Sequence, residues 1–155
     1  MSTSPAPGLL FHTGLMVADL ASAMQTLGVE LGVRWTPVME ATQRVRTEQG
    51  EIDVTLSLVY SMGGPHRVEL VQQVPGTVWS TAPGQDVTVH HLGYWTDDLA
   101  ADSAALARHG APVVAVPVLA DGSAPRWVYH RSALGTIIEL VASETRASMD
   151  RLWSA

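Results

Sequence analysis

The sequence predicts an α+β fold: two βαβββ modules whose paired, curved β-sheet encloses a cleft, followed by a C-terminal helix. Three observations carry this reading. The chain repeats itself, Phe11-His-Thr-Gly-Leu-Met-Val-Ala-Asp-Leu20 lining up with His90-His-Leu-Gly-Tyr-Trp-Thr-Asp-Asp-Leu99. A second pair follows in the same order, Val68-Glu-Leu-Val71 and Ile138-Glu-Leu-Val141. Each block of the first pair runs into apolar residues at helical spacing, and each block of the second lies in a β-compatible run. Module 1 is expected over about 9–74, module 2 over about 87–142 and the last helix over about 144–153. Together they form a single domain, 9–155, behind a disordered lead-in, 1–8.

In the first module, Leu9 to Val17 reads as a strand. Asp19 is placed to cap a helix whose Leu20, Met24, Leu27 and Leu31 share one face, and Gly32 to end it. Val33 to Val45 holds a short, irregular strand. Ile52 to Tyr60 alternates Ile52, Val54, Leu56 and Leu58 with Asp53, Thr55 and Ser57, a half-buried strand. Met62-Gly-Gly-Pro65 turns the chain into Arg67 to Gln73, and Pro75 to Gly84 is the seam between modules. The second module repeats the order: strand Thr88 to Thr96, a helix capped by Asp97 or Asp98 and stopped by Gly110, then strands over Pro112 to Val118, Arg126 to Arg131 and Thr136 to Ala142.

Bulk properties narrow the function. Hydrophobic residues are 46% and charged residues 15% of the chain, enough for a core and low for a fully solvated surface. Covered apolar surface, as in a homodimer, is therefore expected. A net charge of -6 with no basic run argues against a nucleic-acid partner. The absence of cysteine excludes disulfides and thiolate metal sites. No stretch approaches the ~20 apolar residues of a membrane span, and the N-terminus lacks the charged start of a signal peptide, so a cytoplasmic location is expected.

Alternation gives the repeat its chemistry. Side chains two apart on a strand share a face, so His12 keeps company with Gly14 and Met16, and His91 with Gly93 and Trp95. With the helices packed on the Phe11/Leu15 and Leu92/Tyr94 faces, both histidines look into the cleft, and Glu69 and Glu139 hold equivalent places on the last strands. His90, by the same parity, falls on the helix side as a structural residue. Two imidazoles and two carboxylates suit one divalent ion of Zn, Co, Ni, Mn or Fe, acting as a Lewis acid on a small oxygenated substrate. Trp35, Trp79, Trp95 and Trp127 are mostly core material, with flat surface for a cyclic ligand. Arg44, Arg46 and Arg126 are the cations available to an acidic group.

These motifs, Phe11-His12-Thr-Gly14 with Asp19-Leu20, Val68-Glu69-Leu70, His91-Leu-Gly93 with Asp98-Leu99, and Gly135-Thr-Ile-Ile-Glu139-Leu140, resemble the vicinal oxygen chelate superfamily from about Leu9 to Val141. That superfamily includes glyoxalase I, methylmalonyl-CoA epimerase, extradiol dioxygenases and bleomycin-resistance proteins. His91-Leu-Gly-Tyr with Asp97-Asp98-Leu99, and Glu48-Gln49-Gly50 ahead of a strand, are most similar to the epimerases. The resemblance implies a metal on His12, His91 and Glu139 with position 69 as fourth ligand. Glu69, a glutamine in some epimerases, draws the site towards glyoxalase I. It also implies a carboxylate base near the Gln-Gly element, where Glu40 and Glu48 lie; Glu48, together with Glu139, is the catalytic candidate. The implied activity is metal-dependent isomerisation, epimerisation or lyase chemistry. The alternatives are a non-haem iron oxygenase and a non-catalytic resistance protein that sequesters an aromatic compound.

Overall fold

Both halves trace the same chain path in the computed structural model, which describes residues 8–154. The first half holds β1 (Leu10–Val17), α1 (Leu20–Leu31), β2 (Met39–Thr47), β3 (Gly50–Tyr60) and β4 (Arg67–Gln72). The second holds β5 (Val87–Thr96), α2 (Leu99–Arg108), β6 (Val113–Pro117), β7 (Trp127–Arg131) and β8 (Ile137–Ala142). A 3₁₀ turn at Ser143–Thr145 then leads into α3 (Arg146–Trp153). Apart from Gly8, the lead-in expected over 1–8 lies outside the described residues.

The predicted sheet closes on itself. The eight strands form one barrel in the order β1-β4-β3-β2-β6-β7-β8-β5. The modules meet along two seams, antiparallel β1–β5 and the shorter antiparallel β2–β6, where Val45 to Thr47 face Ala115 to Pro117. Within each module the first and last strands, β1 with β4 and β5 with β8, run parallel. Such pairing needs a crossover, supplied by the helix and the β2–β3 or β6–β7 hairpin.

The helices sit outside the barrel because their caps and apolar faces put them there. Asp19 accepts from the Ser22 amide at 2.7 Å and Asp98 from that of Ala101 at 3.0 Å, each satisfying one otherwise orphaned donor. Gly32, at φ 66°, closes α1 in the left-handed region. Leu20, Met24 and Leu27 pack with Val17 and Leu70, and Leu106 packs with Val128 and Leu140. Each fully buried leucine contributes about 1.5–3 kcal/mol. Leu31, assigned to the same face, is 50% exposed instead, as the last residue of its helix.

Two expectations need correction. The segment read as a short, irregular strand is a regular nine-residue β2, paired with β3 from Met39 opposite Leu58 to Thr47 opposite Gly50. Its outward residues Glu40, Thr42, Arg44 and Arg46 are polar, while Ala41 and Gln43 face the barrel cavity, so no apolar alternation marks it. Phe11 and His90, placed on the helix side by parity, are not there. The β1–β5 register jumps at both residues: Leu10 faces Tyr94 while His12 faces Gly93, and Gly14 faces His91 while Leu15 faces Val89. Each is therefore the extra residue of a bulge, which re-aims its side chain. Phe11 stacks on Trp95 and joins Tyr60 and Trp153 in a cluster at the end of the barrel covered by α3.

Candidate metal centre

Strand register gathers the site in two crossed rows. Tyr60 pairs with Glu69, Glu69 with Gly14, and Gly14 with His91. Symmetrically, Tyr129 pairs with Glu139, Glu139 with Gly93, and Gly93 with His12. Each row therefore combines a carboxylate from one module with a histidine from the other. The glycines are required by geometry. A Cβ at Gly14 would fall inside the His91 ring, and one at Gly93 inside the His12 ring, so each imidazole lies flat across the opposite glycine.

His12 Nε2 stands 2.9 Å from Glu139 Oε2 and 3.5 Å from Glu69 Oε2. His91 Nε2 stands 2.8 Å from Glu69 Oε2 and 3.3 Å from Glu139 Oε2, and the two Nε2 atoms are 3.0 Å apart. One donor atom from each of the four residues lies within 4.8 Å of all the others. Yet both Oε2 atoms are buried without an aligned hydrogen bond. The two imidazole nitrogens are within hydrogen-bonding reach of each other, while neither carboxylate oxygen is so partnered. Donors bound to one ion at about 2.0–2.2 Å sit roughly 3 Å apart when adjacent, so spacing and donor chemistry both fit a divalent ion. All four donors come from one chain.

Burial disfavours charge on His12, but Glu139 and Glu69 outweigh it and raise its pKa to about 10. His91 is raised by the same contest. Burial pushes both carboxyls up, and the close approach of the two imidazoles holds them below the usual range. Metal-free protein should therefore show a defined pH profile. The His12 contribution to stability is complete below pH 6.5 and is lost as pH rises through about 10. The Glu69 and Glu139 contributions are present above pH 4.5 and lost as pH falls through their lowered folded values. Chelator-treated protein is expected to melt highest between pH 4.5 and 6.5. Added zinc, which displaces the imidazole protons, should raise Tm by a margin that grows with pH above that window. A chelated Tm that stays flat from about pH 5 to about pH 9 would contradict this account.

The cleft beside the four residues is a cavity of about 330 Å³, walled by Leu58, Val71, Trp79, Trp127, Tyr129 and Met149 among others. Trp79 and Trp127 therefore combine core and cavity roles, whereas Trp95 packs against Phe11, and Trp35 donates to the Met24 carbonyl beside α1. Arg126 lines the cavity and pairs with Glu144 at 3.1 Å. Arg44 and Arg46 point outward onto Asp53 and Glu51. Neither candidate base near the Gln-Gly element reaches the site. Glu48 sits at the β2–β3 turn, paired with Arg131 at 3.0 Å, and lines a separate surface depression. Glu40 is exposed and accepts from Ser57. On a barrel wall, a turn residue lies at the rim and an outward strand residue on the far face, which corrects the expectation for both.

Sequence reading passed over two tyrosines. Tyr60 and Tyr129 are buried, line the cavity and flank Glu69 and Glu139 in the rows above. Burial, reinforced by the carboxylates, holds both hydroxyls protonated well above pH 10. A signal was available: Leu58-Val-Tyr60 and Trp127-Val-Tyr129 are a third element of the repeat.

Residues 11–129 match the sequence profile of the Glyoxalase/Bleomycin resistance protein/Dioxygenase superfamily. The chain belongs to that superfamily. Solved structures share its fold. A methylmalonyl-CoA epimerase from Mycobacterium tuberculosis is 21% identical, with 88% of this chain and 91% of that one covered at a TM-score of 0.56. A Streptomyces coelicolor methylmalonyl-CoA epimerase variant in complex with 2-nitronate-propionyl-CoA is 17% identical over 88% and 98%, also at 0.56. A mutant 4-hydroxymandelate synthase from Streptomyces coelicolor is 12% identical over 88% and 48%, at 0.55. No curated protein sequence matches the chain. Among the described residues, no helix is long and apolar enough to cross a membrane. The glyoxalase superfamily thus supplies the fold, and the site must supply the chemistry.

Proposed function

We propose that this protein is a metal-dependent isomerase, epimerase or lyase that moves a proton next to a carbonyl of a small, oxygenated substrate. The observation that carries the reading is the convergence of His12, Glu69, His91 and Glu139 beside an apolar cavity. A divalent ion held by these four residues supplies Lewis-acid polarisation of a substrate oxygen. Glu139 is the base. Its Oε2 faces the two imidazoles, leaving Oε1 for a proton, and its side chain is 12% exposed against 6% for Glu69. As the C–H bond α to the carbonyl breaks, its proton passes to Glu139 and its electron pair moves towards the carbonyl oxygen. Return of that proton to carbon completes the turnover. Tyr60 and Tyr129, held protonated, are hydrogen-bond donors to substrate oxygens, and the apolar walls exclude water from the transfer. Among the described residues that line the cavity, Arg126 is the sole cation and is already paired, which favours a substrate whose reacting end carries little charge.

Proton NMR in deuterated buffer tests this with the protein loaded with Co, Ni or Mn. Hemithioacetals and α-hydroxyketones are suitable first probes, with methylmalonyl-CoA, which carries a carboxylate on its reacting carbon, as the charged comparison. The expected result is loss of an α-proton signal from one probe class, with each of the three metals and without oxygen uptake. Oxygen consumption coupled to substrate loss, and only with iron, would establish the oxygenase instead. Tight binding of an aromatic compound by metal-free protein, with neither exchange nor turnover, would establish sequestration.

A further inference from the structure

The two halves treat the residue before each site histidine alike, yet the two residues differ in chemistry. Phe11 and His90 hold equivalent places in the repeat, and each is the extra residue of a bulge on the β1–β5 seam. The Phe11 ring meets His12 edge-on, with centroids 4.4 Å apart, and offers no acceptor. His12 Nδ1 is accordingly buried with no partner. His90 instead places its Nδ1 2.9 Å from His91 Nδ1 and its Nε2 2.7 Å from the Val78 carbonyl oxygen.

That chain of contacts has one direction. A carbonyl only accepts, so the His90 Nε2–H donates to Val78. In the same neutral ring Nδ1 is then the acceptor, and the His91 Nδ1–H donates to it. Once the Nε2 proton leaves, as binding of a metal requires, His91 Nε2 offers its lone pair on the side of Glu69 and Glu139. We infer that His90, anchored by the Val78 carbonyl, is a positioning residue that fixes His91 as the Nδ1–H tautomer required of a metal ligand. His12 Nδ1 has no such partner, so a protein hydrogen bond sets the tautomer of one site histidine, while packing alone holds the ring of the other. Val78 belongs to the segment joining the modules, which gives that connection a part in preparing the centre. Outer partners of this kind orient ligand imidazoles and typically change metal affinity 10–100-fold.

The inference rests on the metal-site reading, and its test separates the two. In zinc-loaded, ¹⁵N-labelled protein, long-range ¹H–¹⁵N correlation of the imidazoles should show His90 as Nε2–H and His91 as Nδ1–H. Chelator competition then measures zinc affinity. His90→Leu fills the space without an acceptor and should bind zinc about 10–100-fold more weakly. His90→Asn sets Oδ1 at the side-chain position of the missing Nδ1 and should recover most of that loss. Zinc uptake with His91 as Nε2–H, wild-type affinity in His90→Leu, or His90→Asn no better than His90→Leu would each overturn the inference alone. Wild-type protein that takes up no zinc would overturn the metal reading and the inference with it.

Discussion

Replacing Gly93 with alanine is expected to abolish metal binding and lower stability, although no ligand is touched. The added Cβ would occupy the position of the His12 ring, and Gly14→Ala does the same to His91. Neither ring has room to retreat. His12 is fully buried between Phe11 and Tyr60, and His91 packs against Tyr129 and His90. Overpacking of this kind costs about 1–3 kcal/mol. The opposite sign is expected for an unencumbered strand glycine, where alanine gains roughly 0.5–1 kcal/mol from reduced backbone entropy. Displacing an imidazole also removes one of four donors, so zinc affinity should fall by more than about 100-fold, beyond the effect of an outer-sphere change. Metal content after dialysis and Tm in chelator read the two effects separately. Full metal occupancy with an unchanged or raised Tm would show that the glycines are ordinary strand residues.

The second large effect concerns the two carboxylates, equivalent in the repeat but not in access. Glu139→Gln keeps an oxygen donor in place and removes the capacity to take a proton. Solvent exchange of the substrate α-proton should fall by about 10²–10⁴, the usual contribution of a general base. Zinc should still bind, more weakly. Glu69→Gln, further from the opening, should lose affinity with a smaller loss of exchange measured at saturating metal. Exchange in Glu139→Gln within about threefold of wild type at full occupancy would remove Glu139 from the base role.

Much of this architecture is legible in the sequence because the repeat carries both its strand order and its four clustered site residues. Asp19, Gly32 and Asp98 mark their helix ends through local chemistry that tertiary context does not override. That His12, Glu69, His91 and Glu139 share the inner side of the sheet follows from the repeat together with alternation, since β1 and β5 stay in register between His12 and His91. Alternation fails at Phe11 and His90, where a bulge turns one residue without any compositional mark. β2 is obscured for another reason: a strand that lines a cavity on one face and meets water on the other has no apolar stripe to display. Glu48 lies at the rim because it sits in the β2–β3 turn, and adjacency to a motif in sequence does not tell rim from interior.

The crossed rows also bear on ancestry. Since each carboxylate shares its row with the other module's histidine, one module alone offers half a centre, and two copies of it offer a whole one. Duplication and fusion of a gene for a single module would reproduce this arrangement, with the twofold axis of the former dimer passing between His12 and His91. Fusion releases the copies from having to mutate together. Positions 11 and 90, phenylalanine in one copy and histidine in the other, then record where the inherited symmetry was given up.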